Sequence, residues 1–297
     1  MDSIPKTEDN PDRPRFQLFC QDAVSGMLAL PGKSVKLVYG SPPYPNAKRN
    51  YGNWKTESYL ETIAPFIDSI KRILRDDGFF VLNIKANRTP GTSKASSERS
   101  LVVEKLAILL KERWEMYCVD IEIWAKKCWA PTGLRCACQD VYEQMLWFSV
   151  APKWQVDLDA IRIPYSQASL ESYKNKIYRP PHNGLGYVSK EKRIEPNPLG
   201  ALPRNIIYGY TSQSNENHQA TQPAYLSEKY IKATTEEGDL VCNPWMGTGT
   251  TGVSACSLGR RFVGFDIFGE YIEIAERRIR DAVASRRLPG TDARDSG

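Results

Sequence analysis

An α/β fold, with seven strands in a mostly parallel, doubly wound sheet, is the architecture this 297-residue sequence predicts. Three observations carry that expectation. Short apolar runs alternate with stretches of helical periodicity along most of the chain. One such run, Val35–Tyr39, stops at a stiff turn, Ser41-Pro42-Pro43-Tyr44, because prolines cannot donate to a sheet ladder. Another, Asp239–Asn243, enters a glycine-bearing turn that opens a helix.

The expected strands are Phe16–Cys20, Val35–Tyr39, Gly78–Ile84, Tyr117–Trp124, Gln144–Ser149, Asp239–Asn243 and Arg261–Asp266. Between them, Glu57–Arg75 places Leu60, Ile63, Ile67, Ile70 and Leu74 on one helical face. Leu101–Arg113, Ser227–Thr235, Thr250–Leu258 and Glu270–Ala284 read as helices by the same spacing. Two stretches interrupt the alternation. Lys85–Ser100 is polar and basic, as suits a loop. Residues 151–217, rich in proline and aromatics without helical periodicity, read as an irregular insertion distinct from the sheet. This divides the chain into 16–150, 151–217 and 218–284, with a disordered arm at 1–15 and a flexible tail at 285–297.

Composition narrows the class. At 41% hydrophobic and 25% charged, the chain has ample material for a core. No apolar run approaches the roughly 20 residues that span a bilayer. The polar, proline-containing first fifteen residues do not read as a signal peptide. Seven scattered cysteines favour reduced thiols and a cytoplasmic setting, nucleoid-associated if the source is bacterial. Cys136-Ala137-Cys138 has no CxxC partner, and the histidines, His182 and His218, lie far away, so no metal is expected. Net charge is +5, and between Ala151 and Tyr210 nine Lys/Arg stand against five Asp/Glu. That surplus is either a solvated basic face or the footprint of a polyanion.

Ligands of open α/β sheets bind beyond the strands' carboxyl ends. Ser41-Pro42-Pro43-Tyr44 would present rigid carbonyls, a hydroxyl and an aromatic ring there, suited to an amino group on a flat ring, or it is an ordinary strand-exit loop. At the other end of the chain, Asn243-Pro244-Trp245-Met246-Gly247-Thr248-Gly249-Thr250-Thr251 leads into a helix, and the next strand ends at Asp266. An acid about seventeen residues beyond the glycines suits a ribose diol; the alternative is a plain strand–helix turn.

Together these motifs resemble the amino-directed DNA methyltransferases. NPWMGTGTTG, LGRRFVGFDI and EYIEIAERRI are similar to that family's cofactor-binding half, and SPPY is similar to its catalytic motif. The order, catalytic motif first, resembles the permuted β class, and implies a circularly permuted Rossmann-like methyltransferase fold with Phe16–Cys20 lying beside Arg261–Asp266. Residues 218–223, HQATQP, resemble the segment leading into the cofactor strand, and Cys20-Gln21-Asp22 resembles an acid facing the cofactor adenine. Trp124-Ala125-Lys126, Pro131 and Glu143 resemble a later motif. Asn243 stands where the family has Asp, Trp245 where it has Phe, and Gln219 and Gln222 replace a proline and an apolar residue.

The resemblance implies S-adenosyl-L-methionine as cofactor, held by Asp22, His218, Ala220, Thr221, Pro223, Asn243, Pro244, Trp245, Gly247, Thr248, Gly249, Thr250, Thr251 and Asp266. Asp22 is equally readable as a helix N-cap. Ser41 and the Pro42 carbonyl would accept the hydrogens of an exocyclic amine, Pro43 would stiffen the edge, and Tyr44 would stack on a base flipped from double-stranded DNA. The chain has no Pro-Cys pair, which argues against carbon-5 chemistry. A serine at the motif's head points to cytosine N4. Adenine N6, a silent DNA-binding protein on the same fold, and methylation of RNA or a small amine stay open. DNA would meet Lys48, Arg49, Lys85, Arg88 and Lys94 on loops, and Lys174, Arg179, Asn183, Lys190 and Arg193 in the insertion, which would recognise the target sequence. A cognate restriction endonuclease is a further implied partner; oligomeric state and target sequence are not readable.

Overall fold

The computed structural model describes residues 15–47, 54–88, 97–127, 137–174, 177–178, 192–193, 195–210 and 222–287. The chain divides into two compact units, Val156–Arg204 and the remainder.

The larger unit is built on a sheet of eight strands. In chain order its elements are β1 (Phe16–Cys20), α1 (Ala23–Ala29), β2 (Val35–Gly40), α2 (Tyr59–Ile73), β3 (Leu74–Ile84), α3 (Val102–Glu112), β4 (Tyr117–Lys126) and β5 (Tyr142–Ser149). The smaller unit then contributes α4 (Gln167–Lys174), β6 (Ile177–Tyr178) and β7 (Lys192–Arg193). The larger unit resumes with β8 (Ile206–Gly209), α5 (Ala224–Thr234), β9 (Leu240–Asn243), α6 (Thr250–Ser257), β10 (Arg261–Asp266) and α7 (Gly269–Arg287).

Sheet order is β1-β10-β9-β2-β3-β5-β4-β8. The pairs from β1 to β3 are parallel, β5 runs antiparallel to both neighbours, and β8 is parallel to β4. The first strand does pair with the last, Phe16 with Phe262 through Cys20 with Asp266. The central strands are largely apolar because helices cover both their faces; Val35, Leu37, Val38 and Tyr39 have no solvent exposure. Ile63, Ile67, Ile70 and Ile73 of α2 are likewise fully buried.

Two expectations are corrected here. The main sheet has eight strands, not seven, and the region 151–217 is not wholly separate from it. Ile206–Gly209 joins the sheet edge beside β4. This strand is only four residues long, and Ile206 and Tyr208 are exposed, so its short Ile-Ile-Tyr run does not stand out as the longer buried ones do. The smaller unit also carries more order than expected. Besides α4 and the antiparallel β6–β7 pair it has a 3-10 turn at Asp159–Ile161 and a bridge between Ile163 and Ala201. Arg162 Nη1 donates to the Gly200 carbonyl at 2.8 Å, and Tyr165 meets Tyr173 edge to face.

Among the described residues no helix is long and apolar enough to cross a membrane, and no cluster of three or more His, Cys, Asp or Glu is placed to hold a metal. Cys136, His182 and His218 lie outside the described residues. The five described cysteines are free thiols.

Candidate active site

Strands β2 and β9 are neighbours, with Leu37 opposite Val241 and Val38 opposite Cys242. The turns that follow them, one bearing Ser41–Tyr44 and the other Asn243–Gly249, therefore open from the same sheet edge. Contact between them is close at Gly40, where a Cβ would lie 2.8 Å from Asn243 Oδ1 and 2.9 Å from Trp245 Cε3. Asn243 is buried and fully engaged. Its Nδ2 donates to Thr251 Oγ1 at 2.9 Å and its Oδ1 accepts from the Trp245 amide at 2.9 Å. The residue thus organises its own turn, a role the carbonyl of Asn performs without a charge.

The rest of that turn is braced from α7. Arg278 Nη1 donates to the carbonyl and hydroxyl of buried Thr248, at 2.6 and 2.9 Å, and Nη2 reaches Thr250 Oγ1 at 3.5 Å. Gly249 has φ of +81°, and a Cβ there would meet Ala275 Cβ at 2.7 Å, so this glycine serves both the turn and the packing of α6 on α7. Asp266 closes the far side: its Oδ2 accepts from the Gly247 amide at 3.0 Å and its Oδ1 from the Phe268 amide at 3.1 Å. Trp245 packs against Phe66, with centroids 5.3 Å apart, and Phe66 in turn against Trp54. The buried Trp245 indole N–H has no hydrogen-bond partner. Pro244 sits in the turn, and Pro223 caps α5 with extended backbone. Asp22 is exposed and caps α1, its carboxylate accepting from the Ser25 amide at 2.9 Å. It lies just past Cys20, which pairs with Asp266.

Below the Ser41–Tyr44 edge lies a polar network. Ser41 Oγ donates to Tyr44 Oη at 3.1 Å, and Tyr44 Oη lies 2.9 Å from Asn83 Oδ1 and 2.7 Å from Glu143 Oε2. Lys126 is ion-paired with Glu143 Oε1. Gln222 Nε2 donates to Asn83 Oδ1 and its Oε1 accepts from Tyr39 at 3.1 Å. Burial, and after it the Glu143 carboxylate, push the Tyr44 phenol well above its ordinary range, with the Ser41 hydrogen bond acting the other way. Burial chiefly does the same to Tyr39. The Pro43 carbonyl accepts from Tyr59 at 3.0 Å, which fixes the proline turn against α2.

The sequence reading missed the network. Asn83 drew no attention, Glu143 and Lys126 appeared only within a motif, and Gln222 only as a departure. The available signal was a polar residue inside an apolar strand, Asn83 in FFVLNI and Glu143 in YEQMLWF. Of the basic residues expected to meet DNA, Lys85 Nζ donates to the Asp140 carbonyl at 3.2 Å and Arg88 Nη1 to the Ser97 carbonyl at 3.0 Å. Lys174 ends α4, and Arg193 lies in β7. Lys48, Arg49, Lys94, Arg179, Asn183, Lys190, His218, Ala220 and Thr221 lie outside the described residues or their described side chains.

Known proteins give this geometry a context. A family model described as DNA methylase, covering N6 and N4 enzymes, matches residues 35–277. Type II methyltransferase M.BglII of Bacillus subtilis is 27% identical over 87% of this chain and 67% of its own. Type II methyltransferase M.PvuII of Proteus hauseri is 24% identical over 89% of this chain and 83% of its own. DNA adenine methyltransferase YhdJ of Escherichia coli K12 is 26% identical, over 87% and 80%. Among solved structures, the cytosine-N4-specific PvuII DNA methyltransferase superposes with a TM-score of 0.66 at 21% identity, covering 91% of this chain and 92% of that one. The TTHA0409 protein of Thermus thermophilus, solved with S-adenosyl-L-methionine, gives 0.61 at 20% identity over 93% and 96%. With the family model spanning both turns of the site, the chain belongs to the N6/N4 DNA methylase family.

Proposed function

We propose that this DNA methyltransferase is site-specific and methylates the exocyclic N4 amine of cytosine in a base flipped from duplex DNA. Its cofactor, S-adenosyl-L-methionine, supplies an electrophilic methyl group on a sulfonium sulfur. The site fits such a group: Asp266 offers a carboxylate suited to a ribose diol, the Asn243–Gly249 turn brings Gly247, Thr248 and Gly249 close together, and the partnerless Trp245 indole lines it. Trp245, Gly247, Thr248, Gly249 and Asp266 are the residues that would hold it, with Asp22 beside Asp266.

The chain's own work is positioning. A ring-conjugated amine is a weak nucleophile. Acceptors on its hydrogens favour the pyramidal form whose lone pair points at the methyl, and Ser41 Oγ with the Pro42 carbonyl are the acceptors at hand. Tyr44 supplies the adjoining aromatic surface. Fixed dipoles and proximity account for the acceleration, without a covalent enzyme intermediate. The observation that carries this reading is the convergence of Ser41 and the Asn243–Gly249 turn across the single residue Gly40.

The serine heading the motif favours cytosine; among relatives, the PvuII enzyme is cytosine-N4-specific and YhdJ acts on adenine. The unit Val156–Arg204, with Lys174 and Arg193 among its basic residues, reads target sequence in this proposal. A companion restriction endonuclease and a cytoplasmic location accord with the type II relatives. Incubation with labelled cofactor and mixed-sequence duplex DNA, followed by nucleoside mass spectrometry, tests the reading. N4-methylcytosine is expected. N6-methyladenine refutes the base, and unlabelled DNA refutes the substrate.

A further inference from the structure

The network beneath Ser41–Tyr44 has one hydrogen fewer than its contacts require. Asn83 Nδ2 points at the Gln144 backbone carbonyl, 3.4 Å away. A carbonyl only accepts, so Asn83 Oδ1 faces Tyr44. That oxygen also accepts from Gln222, whose own orientation is set by the Tyr39 hydroxyl on its Oε1. Ser41 spends its one hydrogen on Tyr44. A single phenolic hydrogen is left facing two acceptors, Asn83 Oδ1 at 2.9 Å and Glu143 Oε2 at 2.7 Å. One added proton on Glu143 Oε2 completes the set: Glu143 then donates to Tyr44, Tyr44 to Asn83, and Ser41 still to Tyr44. Lys126 occupies the other carboxylate oxygen, which leaves Oε2 as the seat.

We propose that Glu143 receives the proton that methylation releases from the target amine, relayed through the hydroxyls of Ser41 and Tyr44. The inference rests on the amine-methylation reading above. As the new N–C bond forms and the sulfonium S–C bond breaks, the nitrogen must shed one proton. It passes to Ser41 Oγ while the serine hydrogen moves to Tyr44 Oη and the phenolic hydrogen to Glu143 Oε2. Every bond to hydrogen that breaks is matched by one that forms, and no electrons are exchanged. Both hydroxyls end neutral. Burial and the neighbouring carboxylate disfavour a phenolate at Tyr44, so the phenol conducts the proton without storing the charge.

Glu143→Gln is the direct test, because the amide reproduces the donor of the completed network but takes no proton. Single-turnover methylation is expected to fall about 100-fold, the lower range for general acid–base catalysis, with cofactor and DNA dissociation constants unchanged. Tyr44→Phe breaks the path without disturbing the Glu143–Lys126 pair and should lose a similar factor, and the double variant should be no slower than Tyr44→Phe alone. Time-resolved infrared difference spectra of the wild type, with labelled glutamate, should show a carboxylic-acid carbonyl band rising with product, and this readout holds even if Glu143→Gln fails to fold. Full-rate methylation by Glu143→Gln, additive losses in the double variant, or an acid band that precedes DNA addition or never rises would overturn the relay. Nucleoside analysis of wild-type product separates the two layers: methylated DNA with a full-rate Glu143→Gln refutes only the relay, whereas unmethylated DNA refutes the reaction.

Discussion

Gly40→Ala tests how tightly the two halves of the site are joined. The added Cβ would sit 2.8 Å from Asn243 Oδ1 and 2.9 Å from Trp245 Cε3, well inside van der Waals contact. Neither neighbour is a loose end. Asn243 is held by Thr251 and the Trp245 amide, and the Trp245 ring abuts Phe66. Backbone conformation is not at issue, since Gly40 is an ordinary strand residue with no positive φ. The cost is therefore overpacking, about 1–3 kcal/mol. In a domain of this size each kcal/mol lowers the melting midpoint by roughly 2–4 °C. Because the displaced atoms belong to the turn proposed to hold the cofactor, a comparable loss is expected in binding, about tenfold in dissociation constant for 1.4 kcal/mol. Thermal unfolding and titration calorimetry with S-adenosyl-L-methionine measure the two effects on one preparation. An unchanged midpoint together with unchanged affinity would refute the contact between the strands.

Other perturbations have equally definite outcomes. Asp266→Ala removes an acceptor from the turn and should weaken cofactor binding at least about tenfold, a 1.4 kcal/mol loss, by the same calorimetry. Glu122→Gln leaves Lys229, 14% exposed, without its anionic partner beside Tyr230 and should cost about 3 kcal/mol in denaturant unfolding, the lower end for a broken buried pair. Burial alone would raise the Asp77 carboxyl, but the hydrogen bond and charge of Lys36, reinforced by Arg75, outweigh it and hold it below the ordinary value. Its contribution is therefore present above the unfolded value near about 3.9 and is lost as pH falls through the lower folded value. Asp77→Asn should be slightly less stable than wild type at neutral pH and equal to it in strong acid, the small size reflecting the side chain's exposure. Cys242 is buried and its thiol raised by that burial, so alkylation followed by mass spectrometry should label exposed Cys20, Cys118 and Cys138 while sparing it.

What the sequence made legible was local. Val35–Gly40 and Arg261–Asp266 announce themselves because a buried parallel strand is mostly an apolar run, and the two motif turns because proline and glycine act on neighbouring dihedrals. Direction is not local: nothing in Tyr142–Ser149 says that it runs against Leu74–Ile84, since alternation is the same read either way. Ile206–Gly209 escaped because an edge strand of four residues is too short to show a period. The polar network escaped for a different reason. Tyr44, Asn83, Glu143 and Gln222 meet only after the sheet has assembled, and no segment by itself says which of the others its polar residue will face.

The pairing of Leu37 with Val241 also orders events in the life of the chain. During synthesis β2 emerges early, and the strand that must lie beside it follows only after both β5 and the entire smaller unit. Contacts this far apart in sequence close slowly and late. Until Leu240–Asn243 arrives, the edge of β2, apolar but for Lys36, is an exposed template, the part of a nascent chain most in need of protection from neighbouring strands. If the site is the one proposed above, methylating activity then begins all at once, because a ribosome-bound fragment carrying Ser41–Tyr44 has only half of it.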